Sequence, residues 1–508
     1  MKKRALISVS DKTNIKNFAE SLLNLNYEII STGGTYDLIK GENVYNVSDI
    51  TNFPEILDGR VKTLHPKIHG GILADTNNPE HLKALELHEI IPFDIVCVNL
   101  YPFKESLKKN LSETELTENI DIGGPAMIRA SAKNYKCVSI IVDSADYGIV
   151  LDELKSGEVK LKTKKMLAAK AFRHTAAYDA LIAGYMTENS KTNDEDSFPE
   201  KLTLTYDFAE NMRYGENPHQ KAALYKNPIT AASLVSAKQL QGKELSYNNY
   251  ADLNTAVEIV NEFTEPAAVA VKHQNPCAVA TSDDLPDAVN KMYEGDPISI
   301  FGGIIALNKT VDGKSAEFLS KIMLDVIAAP QFSDDAIKIF SKKKNLRLLV
   351  TNDIKKSKHV YTHINGGLLV QDSDLYSIKE SDLSYPTLRK PTNEELSIAK
   401  FAWTVIKYVK SNGILVAGNN MTLGIGPGQT NRVGAAKIAL AAAGEKAKGA
   451  VLASDAFFPM PDTVEEAAKA GIGIIIQPGG SIKDSLSVEA CDRNNIGMIY
   501  TGVRHFRH

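Results

Sequence analysis

The segment Gly59-Arg60-Val61-Lys62-Thr63-Leu64-His65-Pro66-Lys67-Ile68-His69-Gly70-Gly71 carries five basic or titratable side chains within ten residues and closes on two glycines. Arg60, Lys62 and Lys67 are costly to bury unless they face an anion. Glycine lets a backbone come close to another group. Taken alone, such a charge run also fits a solvated basic loop. A second candidate is Lys272-His273, which follows the apolar run 267–271 and precedes Asn275-Pro276-Cys277. A lone histidine is more often structural, but a Lys-His pair at a strand end is less ordinary. Histidine can take a proton near neutrality, and lysine can steady a developing oxyanion.

Two further stretches suit a phosphate ester. Ser8-Val9-Ser10-Asp11-Lys12 and Ser31-Thr32-Gly33-Gly34-Thr35 each end an apolar run and open a helical pattern. Free N–H groups at helix starts, hydroxyls and Lys12 together favour an anion. Neither stretch matches GxGxxG or GxxxxGK[ST], so a dinucleotide or nucleoside triphosphate is disfavoured. The same residues would also serve as helix caps. Asn99-Leu100-Tyr101, Asp121-Ile122-Gly123-Gly124 and Arg129 to Lys133 add an amide, a phenol, a carboxylate and cations. Lys62 and Lys133 suit stabilisation of negative charge building on an oxygen. Tyr101 can donate a proton or stack, and Asp121 before a double glycine can cap a helix or serve as an acceptor.

Elements that could position these groups follow from apolar patterning. Strands are predicted at residues 5–9, 28–31, 95–98 and 137–142, with a helix over 12–25 capped by Ser10 or Asp11. Buried strands alternating with helices predict a mostly parallel α/β sheet. Beyond residue 200, strands are predicted at 267–271, 303–307, 414–417, 450–453 and 472–476. A faint self-similarity pairs 267–277 with 450–459 and 302–307 with 472–480, which points to two related subdomains.

A chain of 508 residues is too long for one core. The polar, acidic stretch 188–200 predicts a boundary between domains at 1–190 and 200–508. A net charge of −4 argues against a general nucleic-acid binder. No apolar run is long enough for a transmembrane helix, and the charged start runs into too short an apolar stretch for a signal peptide. Four scattered cysteines without a CxxC pair point to reduced thiols in the cytoplasm.

These segments, with Arg213-Tyr214-Gly215-Glu216-Asn217-Pro218-His219-Gln220, resemble the family of bifunctional purine-biosynthesis enzymes that carry AICAR transformylase and IMP cyclohydrolase. The resemblance runs in order down the whole chain to its His-Phe-Arg-His end. It implies an N-terminal methylglyoxal-synthase-like, Rossmann-type α/β domain that closes the ring of formyl-AICAR to IMP. A larger C-terminal domain of two cytidine-deaminase-like subdomains would carry the transformylase. Its cosubstrate would be 10-formyltetrahydrofolate, and the protein would be a cytoplasmic homodimer binding neither nucleic acid nor membrane.

The resemblance also implies roles. Lys272 and His273 would serve formyl transfer, and Lys62, Lys133, Tyr101 and Asp121 would serve cyclisation. Ser8, Ser10, Lys12, Ser31, Thr32, Gly33, Gly34, Thr35, Arg60, Thr63 and Asn99 would hold the substrate of the first domain. Arg213, Tyr214, Asn275, Phe301, Gly302, Asp325, Asn412, Arg432 and Arg504 would hold AICAR. Phe457, Phe458, Asp462, Ser481 and Ile482 would line the folate. A zinc deaminase needs a second cysteine after Pro-Cys; here Pro276-Cys277 runs into Ala-Val-Ala, so zinc chemistry is not expected. Thr32 replaces a usually small neutral residue, and Lys342 to Lys344 reads as a solvated loop. A reading from another class is a phosphate-metabolite sensor using the same strand-end cradle, though a sensor needs no general base.

Overall fold

A computed structural model describes residues 3–109, 111–190, 198–230, 232–352 and 354–508. The central part of the expected 188–200 boundary, residues 191–197, lies outside the described residues. The chain divides into two compact units: residues 1–207 with 227–229, and residues 208–226 with 230–508.

The first unit is built on five parallel strands: β1 (Lys3–Ser8), β2 (Tyr27–Ser31), β3 (Val44–Asn46), β4 (Ile95–Val98) and β5 (Ser139–Ile141). Their order is β3-β2-β1-β4-β5. β1 runs Lys-Arg-Ala-Leu-Ile-Ser, and its Ala5, Leu6 and Ile7 are fully buried. The chain winds outward from β1 to β3 and then returns to β4 on the other side. The reversal opens a crevice beyond the carboxyl ends of β1 and β4, where open α/β sheets bind ligands.

The helix expected over 12–25 runs from Ile15 to Asn24 and starts at Asn14 in the left-handed region (φ 57°). Neither Ser10 nor Asp11 caps it. Asn99 draws the backbone N–H groups of both residues to itself, and the helix begins beyond Asn14. Gly70 and Gly71, which close the basic segment, lie inside the helix Pro66–Leu73. A Cβ on Gly71 would stand 2.8 Å from the Ile91 carbonyl oxygen and 3.0 Å from Phe93. The close approach made there is to the protein itself.

The second unit holds an eleven-stranded mixed sheet. Two short strands, β6 (Asp207–Met212) and β7 (Ala222–Lys226), pair outside it. The sheet takes in β8 (Lys238–Gln241), β9 (Ala267–Lys272), β10 (Asn275–Thr281), β11 (Ile304–Leu307), β12 (Val326–Ala329) and β13 (Arg347–Val350). A separate hairpin, β14 (His359–Ile364) and β15 (Gly367–Asp372), follows. The main sheet resumes with β16 (Ile414–Gly418), β17 (Met421–Gly426), β18 (Val451–Ser454), β19 (Ile474–Gln477) and β20 (Gly497–Tyr500).

Its order, β20-β19-β18-β16-β17-β10-β9-β11-β12-β13-β8, contains a repeat. Each half is an antiparallel hairpin (β9–β10 or β16–β17) followed by three parallel strands (β11–β13 or β18–β20). A helix precedes each hairpin, Tyr247–Val260 in one half and Asn393–Ile406 in the other. The halves meet where β10 pairs antiparallel with β17. The repeat therefore matches β9 with β16 and β11 with β18, not 267–277 with 450–459 as expected from sequence. Both apolar faces are covered, with buried clusters that include Phe340 and Phe458 on one side and Trp403 and Tyr408 on the other.

Candidate functional sites

In the first unit the expected cradle assembles at the carboxyl ends of β1, β2 and β4. Ser8 and Thr32 share a hydrogen bond at 2.6 Å between their hydroxyls. Thr35 donates to the Val9 carbonyl (3.0 Å) and accepts from its N–H (3.2 Å), so the two junctions are tied together. Lys12 leans over the second junction: a Cβ on Gly34 would be 3.4 Å from its Nζ. Ser31 is buried and donates to the Ile7 carbonyl at 2.8 Å. Asn99 accepts from the N–H groups of Ser10 (2.6 Å) and Asp11 (3.0 Å) and donates to the Asp11 carbonyl (3.0 Å). Its amide thus shapes the loop of the cradle.

A second cluster gathers at the start of the helix Gly123–Lys133. Asp121 accepts from the Gly124 N–H at 2.8 Å and from the Tyr101 backbone. Burial pushes the Asp121 carboxyl above the ordinary range, against the lowering effect of those N–H groups and of the Lys62 charge. Lys62 also lies 3.6 Å from Glu55. Thr63 is buried against the helix start, where a Cβ on Gly123 would stand 2.7 Å from its hydroxyl oxygen. Arg60 forms an exposed ion pair with Glu118. Lys133 is exposed at the far end of the helix, about 13 Å along the axis from Gly124. Within one chain it is not brought to the Asp121 end. His65 caps the helix Pro66–Leu73 by accepting from the Lys67 N–H (3.1 Å). His69 is half-buried, which lowers its basicity, and its Nε2 has no partner.

In the second unit strand register collects the expected residues on one sheet edge. The pair Lys272↔Asn275 puts a two-residue turn, His273-Gln274, between β9 and β10. Antiparallel pairing brings that end of β9 beside the start of β11 (Ile304↔Val271), while Ile414 of β16 lies opposite Ser454 at the end of β18. Phe301 and Gly302 lead into β11, Asp325 into β12 and Asn412 into β16. Phe457 follows β18, Ser481 follows β19 and Arg504 follows β20. All face the same edge.

The contacts there are specific. Lys272 donates to the Phe301 carbonyl at 2.8 Å. Asn275 donates to the His273 carbonyl (3.1 Å) and accepts from the Lys410 N–H (3.1 Å), so it bridges the two halves. Arg432 is buried, paired with Asp455, and bonded to Ser454 (2.9 Å) and Asn412 (2.7 Å). His273 (φ 54°) and Gln274 (φ 59°) are both left-handed, as a type I′ turn requires. For glutamine such geometry costs about 1–3 kcal/mol. Exposed Arg213 lies over the Tyr214 ring (5.3 Å). This segment reaches the helix Tyr247–Val260 through Asn248, which donates to the Glu216 carbonyl.

Phe457 is 37% exposed, whereas Phe458 is fully buried in the core. Phe458 is therefore no face for a pterin, because its ring fills the interior. Ile482 is fully exposed. Lys483 reaches Met460 at 3.2 Å, linking the Phe457–Asp462 loop to the Ser481–Ile482 loop. Asp462 accepts from the Thr463 N–H. The C-terminal tail is laced to the same edge by Ser411 to Arg507 (2.8 Å) and His505 to Asp455 (2.9 Å) backbone bonds. Sequence reasoning did not single out Asp252, which accepts from the N–H groups of His273 (3.1 Å) and Gln274 (2.6 Å). The left-handed demand of a two-residue hairpin was the only available signal for it.

Among the described residues, no helix is long and apolar enough to cross a membrane. Residues 14–126 match the model of the MGS-like domain. Relatives named bifunctional purine biosynthesis protein PurH align along the full length of both chains: the protein of Thermoanaerobacter sp. (strain X514) is 56% identical over 512 residues, and that of Bacillus cereus (strain 03BB102) is 56% identical over 515. The crystal structure of ForH is 36% identical, covering 37% of this chain and 100% of that one, with a TM-score of 0.34. The model of the AICARFT/IMPCHase bienzyme matches residues 131–442, and with relatives alike from end to end the chain belongs to that family.

Proposed function

We propose how the two units divide the work of a bifunctional AICAR formyltransferase and IMP cyclohydrolase in purine biosynthesis. The second unit transfers the formyl group of 10-formyltetrahydrofolate to the 5-amino group of AICAR. The amine attacks the formyl carbon, and the bond from that carbon to N10 breaks as N10 takes up a proton, so that tetrahydrofolate leaves. His273 takes the proton released by the amine, a role worth on the order of 10²–10⁴ in rate. Lys272 steadies the tetrahedral oxyanion. Arg213, Tyr214, Asn275, Phe301, Gly302, Asp325, Asn412, Arg432 and Arg504 hold AICAR. Phe457, Asp462, Ser481 and Ile482 hold the folate.

The first unit closes formyl-AICAR to IMP. The carboxamide nitrogen attacks the formyl carbon and water leaves. An amide is a poor nucleophile, so positioning supplies much of the rate. The phosphate sits on Ser8, Ser10, Lys12, Thr32 to Gly34 and Arg60, beside Thr63 and Asn99, while buried Ser31 and Thr35 tie the strand ends beneath it. Lys62 stabilises the oxygen that departs, and Asp121 and Tyr101 move protons; Lys133, at the far end of its helix, stands apart from them.

The observation that carries this reading is the shared sheet edge on which Lys272, the His273 turn, Asn412 and the Phe457 loop meet. The protein works in the cytoplasm as a homodimer; its four free thiols and the exposed apolar Val360, Ile364 and Leu369 of one hairpin support this. Purified protein given AICAR and 10-formyltetrahydrofolate should release tetrahydrofolate and form IMP. Binding of AICAR without tetrahydrofolate release would instead favour a sensor.

A further inference from the structure

The two hairpins of the second unit make the same turn out of different residues. In β16–β17 the left-handed pair is Asn419 (φ 52°) and Asn420 (φ 54°). Asparagine enters that region readily because its short amide bonds locally. In β9–β10 the pair is His273 and Gln274; histidine shares part of that ease, and glutamine does not. The two turns lie on opposite edges of the sheet, as the pairing Ala280↔Met421 requires. The candidate site thus carries the turn with a residue, Gln274, that resists it.

What holds the resistant turn is a carboxylate from another element. Asp252, in the helix Tyr247–Val260, accepts the His273 N–H at 3.1 Å on one oxygen and the Gln274 N–H at 2.6 Å on the other. Charge-assisted bonds to adjacent N–H groups fix both peptide planes. Asn275 adds a bond to the His273 carbonyl. The His273 side chain itself is exposed, so its backbone is where the structure grips it.

We propose that Asp252 is a positioning residue for formyl transfer: it clamps the His273-Gln274 turn and so aims the His273 imidazole at the AICAR amine. The proposal rests on the assignment of His273 as general base. Without the clamp the turn relaxes toward negative φ, and the imidazole swings off its line. A misplacement of about 1 Å can cost on the order of 10²-fold in rate.

The test uses the full chain with Asp252→Ala, Asp252→Asn, Asp252→Ala/Gln274→Gly and His273→Ala, and measures kcat and KM for AICAR and for 10-formyltetrahydrofolate. Cyclisation of supplied formyl-AICAR monitors folding of the remainder. Asp252→Ala should lower kcat on the order of 10²-fold with both KM values nearly unchanged. Asp252→Asn, which keeps one acceptor oxygen, should fall between. Glycine at 274 enters the left-handed region freely, so the double variant should regain most of the lost kcat. A wild-type kcat in Asp252→Ala beside an inactive His273→Ala overturns the clamp alone, as does failure of Gln274→Gly to restore the rate. An active His273→Ala overturns the reading of His273 and the clamp with it.

Discussion

Lys272 Nζ donates to the carbonyl oxygen of Phe301 at 2.8 Å, which ties the ammonium at the end of β9 to the segment that leads into β11. The group is held at the sheet edge before any substrate arrives. Lys272→Met keeps the aliphatic stem and removes the charge. It should lower kcat of formyl transfer by about 10²–10³-fold and leave KM for AICAR close to wild type. Lys272→Arg should not restore the rate, because a planar fork cannot replace a point charge. Steady-state kinetics decide this, and a rise in KM alone would make Lys272 a binding group.

Gly123→Ala sets two effects against each other. Helix propensity favours alanine by about 1 kcal/mol. The added Cβ, however, would stand 2.7 Å from the Thr63 hydroxyl oxygen, and Thr63 is buried. Overpacking of that kind costs about 1–3 kcal/mol, so the clash should win. The variant should lose cyclisation and Tm while keeping formyl transfer, and a second change, Thr63→Ala, should recover Tm. Thermal unfolding with both assays checks this; a raised Tm would contradict it.

Asp121 provides a pH signature. Its carboxyl lies above the ordinary 3.8 because of burial. As a base in cyclisation it must be ionised, so the rate should rise with pH along a limb above 3.8. Asp121→Asn should lower the rate and remove the limb. Stability moves the other way. The folded state holds the proton more tightly than the unfolded, so this group's contribution declines as pH rises through its raised value. Asp121→Asn, neutral throughout, should therefore raise Tm at pH 7. A limb at or below 3.8, or one that survives the substitution, would contradict the assignment.

Phe457 and Phe458 should separate cleanly. Phe457→Ala removes an exposed ring and should raise KM for 10-formyltetrahydrofolate by roughly two- to tenfold, the worth of one aromatic contact at about 0.5–1.5 kcal/mol. Phe458→Ala empties a fully buried site and should cost about 3–5 kcal/mol of stability. Denaturant unfolding and folate kinetics on both variants decide it. Equal KM effects with equal stability would contradict the division.

Much of this architecture is legible in the chain. Buried strands such as Ile95–Val98 and Ile414–Gly418 are unbroken apolar runs, and hydroxyls, glycines and lysines punctuate their ends. The repeat was harder to register, because strands buried on both faces resemble one another. The polar motifs set 267–277 against 450–459, whereas topology sets the His273-Gln274 turn against Asn419-Asn420. Asp252 was invisible for a related reason: its partners are 21 and 22 residues away, and nothing in its helical neighbourhood advertises them. Phe457 and Phe458 carry the same side chain, and only the packed core tells them apart.

The central claim is that formyl transfer and ring closure occupy separate sites, one in each unit. Its most direct test is the reciprocal pair His273→Ala and Lys62→Ala, each assayed for tetrahydrofolate release from AICAR with 10-formyltetrahydrofolate and for IMP from supplied formyl-AICAR. His273→Ala should abolish tetrahydrofolate release yet still make IMP from formyl-AICAR, and Lys62→Ala should release tetrahydrofolate while formyl-AICAR accumulates. Loss of both activities in either variant, or IMP formed at the normal rate by Lys62→Ala, would contradict it.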